Sequence, residues 1–83
     1  MDNENTVIEL SNKNEKIIQN TIKEVYNNLK ERGYDPTNQI VGYILSGDLG
    51  YISSYKGARK KIANLDRSTL TEVLLKNFLS WDV

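Results

Sequence analysis

The stretch Gly33–Ile62, GYDPTNQIVGYILSGDLGYISSYKGARKKI, decides how this chain folds. Its apolar centre, Ile40 to Leu45, could be a strand by periodicity alone, being short, partly β-branched and continuously apolar. The flanks arbitrate. Asp35-Pro36 opens a helix: aspartate accepts from the orphan amides of the next turn, and proline is tolerated at the first helical position. Gly47 closes one. The reading is a helix over residues 36–46, buried nearly all round. Gly42 in its middle costs ~1 kcal/mol against alanine, which points to close approach by another helix.

Upstream, Ile18, Ile22, Val25 and Leu29 recur at helical spacing, with lysines and glutamates mostly off that stripe. Asn12 with Glu15 three residues on is a capping-box-like start, and Arg32-Gly33 suits a helix end. A first helix is expected over about 13–32, preceded by a flexible tail, residues 1–11. Downstream, Asp48 to Ser53 reads as a turn. Ser54 can cap a helix over 54–64 that buries Tyr55, Ala58 and Ile62. Asp66 starts a last helix over 67–80, ending just before Trp81. Its apolar residues Leu70, Val73, Leu74, Leu75, Phe78 and Leu79 span a stripe wider than one intramolecular neighbour usually covers. The expected fold is all-α: four main helices in a single helical domain, residues 12–83, and no sheet.

Composition bounds what such a domain can do. A chain of 83 residues, 39% hydrophobic, has room for one core and buries only about 60% of its extended surface. Without cysteine or histidine it has neither a disulfide nor a Cys/His metal site. Helix packing and self-association remain as sources of stability. A homodimer is therefore expected, built largely from Leu74, Leu75, Phe78 and Leu79 with help from the second helix. The polar start, MDNENTVIEL, is no secretory signal, and no apolar run approaches the ~20 residues of a membrane span, so a cytoplasmic protein is expected. Lysine plus arginine balance aspartate plus glutamate at 11 each, so only local clustering can favour an anionic partner.

Enzymatic chemistry has little support. The commonest general base and the best nucleophile are both missing, and Asp35, Asp48 and Asp66 each precede an expected helix, where capping explains them. The glycines fit no phosphate-cradling spacing, so no cofactor is expected. Lys56, Arg59, Lys60 and Lys61 cluster, with Arg67 nearby. A solvated helix face is the plain reading. An anion-binding surface is the sharper one, facing either nucleic acid through a helix-turn-helix or an acidic or phosphorylated protein segment. Against nucleic acid stand the zero net charge and the turn SGDLGYIS, longer than that motif normally uses. The five tyrosines, Tyr26, Tyr34, Tyr43, Tyr51 and Tyr55, are read as core and interface packing before a stacking platform. In the tail, Thr6 is the hydroxyl residue before Ser11. A threonine there is either unremarkable or a phosphorylation site.

The segment NQIVGYILSGD, followed by Tyr51, Tyr55, Ala58, Arg59 and Ile62, closely resembles the IreB family, small regulatory phosphoproteins of low-GC Gram-positive bacteria, called ReoM in some members. The match is dense over about a third of the chain and looser through the flanking helices. The resemblance implies a helical homodimer without enzymatic activity. It implies a substrate of a PASTA-type Ser/Thr kinase and of its partner phosphatase. Such proteins influence peptidoglycan synthesis by controlling proteolytic turnover of the enzyme that commits UDP-N-acetylglucosamine to it. The family's modified threonine, followed by valine, corresponds to Thr6-Val7. Where some members carry a second threonine this chain has Asn3, and where tails can carry a basic residue it has Ile8. Phosphorylated Thr6 is expected either to suit the Lys56, Arg59, Lys60 and Lys61 cluster and mask it from a partner, or to block a partner that grips the tail directly. A small helix-turn-helix nucleic-acid binder is the alternative.

Overall fold

The computed structural model describes the backbone from Asn3 to Ser80 and the side chains from Asn14 to Ser80. Within those bounds it is all-helical: α1 is Asn3–Glu31, α2 is Pro36–Ser46, α3 is Ala58–Ala63 and α4 is Arg67–Leu79. Two 3₁₀ turns, Leu49–Tyr51 and Tyr55–Gly57, fill the connection between α2 and α3.

The α1 backbone is helical well before Lys13, where the sequence suggests a start. No glycine or proline interrupts it there. Thr6 and Asn12 lie on this segment, but their side chains fall outside the described residues, as does Trp81. At the other end α1 stops through a paired carbonyl closure. The Gly33 amide donates to the Lys30 carbonyl and the Tyr34 amide to the Leu29 carbonyl, each at 3.0 Å. Gly33 adopts φ 89°, the left-handed geometry this closure requires.

Asp35 caps α2 by accepting from the Asn38 amide at 3.1 Å, with Pro36 as the first helical residue. Gly47, at φ 75°, ends it, donating to the Tyr43 carbonyl at 2.7 Å. Asp48 then accepts from the Gly50 amide at 2.8 Å, and Asp66 caps α4 by accepting from the Thr69 amide at 3.0 Å. All three aspartates are thus helix or turn caps.

Three expectations are corrected. The helix expected over 54–64 begins only at Ala58, because Lys56 (φ 52°) and Gly57 (φ 74°) are both left-handed and break it from the turn before. Ser54 makes no capping bond, and Tyr55 is half-buried rather than core. Second, α2 is buried on one side only: Ile40 and Tyr43 face the core, while Val41 and Leu45 are exposed. Third, what approaches Gly42 closely is the Tyr51 ring from the following 3₁₀ turn, not another α-helix.

The core joins every element: Ile18, Val25 and Leu29 from α1, Ile40 and Tyr43 from α2, Ile52 from the connection, Ala58 and Ile62 from α3, and Leu70 and Val73 from α4. Ile52, Leu29, Ile62 and Leu70 are fully buried, each contributing about 1.5–3 kcal/mol of transfer free energy. Helix α3 runs antiparallel along the C-terminal half of α1, since Lys56 reaches Glu31 while Lys61 reaches Glu24. Helix α4 meets the earlier part of α1, where Lys76 pairs with Glu15 at 3.0 Å and Gln19 donates to Asn77 at 3.2 Å.

Candidate interaction surface

Two exposed faces result, one basic and one apolar. The basic face is built on the break before α3. Two consecutive left-handed residues turn the chain sharply at Lys56 and Gly57, and α3 restarts at Ala58, carrying Arg59, Lys60 and Lys61 in its first turn. Gln39 of α2 accepts from the Ser53 amide at 3.0 Å and holds this connection against α2.

The five cations expected to act together do different things. Lys56 Nζ bonds both carboxylate oxygens of Glu31, at 2.7 and 3.0 Å, and the Tyr55 hydroxyl donates to the same carboxylate at 3.2 Å. Hydrogen bonding to Lys56 holds the Glu31 carboxyl below its ordinary range and, reciprocally, raises the Lys56 ammonium. The Arg32 and Lys56 charges each lie 5.7 Å from the centroid of the Tyr55 ring. Lys61 Nζ sits 2.7 Å from Glu24 and donates to Asn28 at 2.9 Å, satisfying the buried Asn28 amide oxygen. Arg67 lies apart from the cluster, donating to the Ile44 carbonyl at 3.2 Å beside Gly47, where it closes the end of α2.

Arg59 and Lys60 differ. Among the described residues neither has a carboxylate at ion-pairing distance. Arg59 Nε donates to the Ile52 carbonyl at 2.8 Å, which fixes the guanidinium while leaving its terminal amino groups unused by that bond. With Ser54 and Gly57 these two cations line a cavity of about 400 Å³. A chain of zero net charge therefore carries a local positive spot here.

The apolar face lies on α4 and the outer side of α2. Leu70 and Val73 point into the core; Leu74, Leu75, Phe78 and Leu79 do not, Phe78 being 70% exposed. On α2, Leu45 is 80% exposed. Between the two helices Ile44, Arg67, Thr71 and Leu75 help line a groove of about 600 Å³. Three of the five tyrosines have other roles: Tyr43 is core, Tyr51 covers Gly42, and Tyr55 serves Glu31, while Tyr26 and Tyr34 are exposed. For a helix-turn-helix, six-residue α3 is a short recognition element.

Periodicity and motif reading missed Glu31, Glu24 and Gln39, whose partners are far away in sequence. Glu31 carried one local signal. A carboxylate in the last turn opposes the helix dipole, so its presence there points to a tertiary cation.

No helix among the described residues is long and apolar enough to cross a membrane. The family model described as IreB regulatory phosphoprotein matches residues 3–80.

Proposed function

The chain belongs to the IreB family of regulatory phosphoproteins, and on that premise we propose that it is a non-enzymatic regulator, phosphorylated on Thr6 by a PASTA-type Ser/Thr kinase and dephosphorylated by the partner phosphatase. It acts in the cytoplasm, by protein–protein contact, on the proteolytic turnover of an enzyme of peptidoglycan synthesis. It works as a homodimer joined through Leu74, Leu75, Phe78 and Leu79. Arg59 and Lys60, flanked by the glutamate-paired Lys56 and Lys61, supply the basic surface for a partner or for phosphate, and Arg67 stands apart from it.

The observation that carries this reading is how the fold uses its reactive groups. The three aspartates that could serve as acids or bases are caps, at 3.1, 2.8 and 3.0 Å from the amides they accept from. Lys56 and Lys61 are held by α1. What the surface offers instead is a positive spot and an apolar helix face, which are the ingredients of recognition. The charge that a kinase adds needs a responsive surface, and the basic face is one that can answer it.

The deciding experiment incubates wild type and Thr6→Ala with a cognate PASTA-type kinase and locates phosphate by mass spectrometry. Labelling of Thr6 in wild type and its loss in the variant are expected. Equal labelling of both proteins removes the proposed regulatory residue.

A further inference from the structure

The cation cluster before α3 divides into neutralised and available charge, and the available part is concave. Lys56 and Lys61 each face a glutamate of α1 at 2.7 Å, so an incoming anion meets an ion pair at those positions. Arg59 and Lys60 meet no such carboxylate among the described residues, and they share the cavity of about 400 Å³ with Ser54 and Gly57. Three further features shape this cavity. The Ser54 hydroxyl makes no capping bond and is available as a donor. Arg59 is pre-oriented by the Ile52 carbonyl, so little rotamer freedom is lost on binding. At Gly57 nothing stands within 4 Å of where a Cβ would be, which leaves the wall open to a bulky group.

We propose that Ser54, Arg59 and Lys60 form a phosphoryl-binding site whose occupant is the phosphothreonine segment around Thr6; this rests on the phosphorylation reading above. A phosphomonoester offers three acceptor oxygens and close to two negative charges. The guanidinium fork, the ammonium and the hydroxyl match that acceptor set, whereas a single carboxylate leaves donors unmatched. Within one helical copy, Thr6 stands about 27 Å of helix rise from Glu24, the residue that Lys61 holds. The segment therefore reaches the cavity either by leaving the helix before Glu15, whose side chain is tied to Lys76, or from a second copy.

The test uses the isotope-labelled full chain and three probes: a synthetic peptide of residues 1–13 with phosphothreonine at position 6, the same peptide unmodified, and inorganic phosphate. The phosphopeptide is expected to shift the amides of residues 54–60 and the unmodified peptide to leave them in place. Arg59→Gln and Lys60→Gln are each expected to weaken binding about tenfold, and Ser54→Ala severalfold. Lys56→Gln and Lys61→Gln are expected to change it by less than about threefold, as their charges are already paired. Because Arg59→Gln also removes a bond to Ile52, helicity is checked for every variant, and Ser54→Ala with Lys60→Gln decide the outcome if Arg59→Gln unfolds. Equal weakening by Lys56→Gln and Lys61→Gln overturns the site in favour of diffuse attraction. So does phosphopeptide binding no tighter than inorganic phosphate. If the phosphopeptide fails to bind while the kinase still labels Thr6, the site falls and phosphorylation stands. If it binds while the kinase ignores Thr6, the site stands and the kinase assignment falls.

Discussion

Lys56 holds a left-handed backbone, φ 52°, while its ammonium bonds both carboxylate oxygens of Glu31, 2.7 and 3.0 Å away. The residue that breaks the helix is thus the one tied across to α1. An L-residue in this region is disfavoured, so the tie and the turn support each other. The pair also fixes the last turn of α1 against the 3₁₀ turn that leads into α3.

A pH dependence follows from that pair. The Glu31 carboxyl is held low in the folded chain, chiefly by its hydrogen bond to Lys56. Its stabilising contribution is therefore present above the ordinary carboxylate range and is lost as pH falls through the depressed folded value. Side-chain NMR titration is expected to show Glu31 protonating below a typical glutamate. In Lys56→Gln its midpoint is expected to move up; an unmoved midpoint contradicts the assignment.

Gly42 and Tyr51 give a sign-reversing test. A Cβ at Gly42 would collide with the Tyr51 ring, so Gly42→Ala is expected to cost about 1 kcal/mol net despite its better helix propensity. In a Tyr51→Ala background the collision is gone, and the same substitution is expected to stabilise by about 1 kcal/mol. Urea unfolding of the four proteins in this cycle measures both values.

Ile52 lies in a connection, yet it is fully buried. Ile52→Ala is expected to destabilise by about 2–5 kcal/mol, as for a core helix residue. Leu45→Ala, at an 80% exposed position, is expected to change monomer stability by less than about 0.5 kcal/mol. Thermal unfolding of the two variants distinguishes a packed connection from a loose one.

For the proposed dimer, Leu75→Glu and Phe78→Glu place charge on the exposed side of α4 without touching the core. Each is expected to shift sedimentation at micromolar concentration from dimer to monomer, with helical circular dichroism retained. Wild type sedimenting as a monomer removes the dimer. A variant that loses helicity identifies the face as part of the monomer's own packing.

The local chemistry of four helix ends was legible in the sequence. Asp35-Pro36, Gly33, Gly47 and Asp66 mark boundaries because a cap needs only a side-chain acceptor or a permissive φ within one turn. The core stripe of α1 follows from periodicity for the same local reason. The N-terminal extent of α1 and the break at Lys56 did not follow, since the former lacks a stop signal and the latter places a lysine in a conformation its identity does not announce.

The division of the basic cluster was decided by tertiary structure. In sequence, Lys56, Arg59, Lys60 and Lys61 are four equivalent charges within one short run. Antiparallel packing of α3 on α1 brings Glu31 to Lys56 and Glu24 to Lys61, cancelling those two and leaving Arg59 and Lys60 beside Ser54. Likewise, the stripe of α4 contains six apolar residues, but which of them face the core depends on how α4 crosses α1. The sequence by itself determined an all-helical chain, four of its helix ends and its family. Which charges are available and which apolar side chains stay exposed was settled by contacts between residues distant in the chain, and no local propensity encodes those.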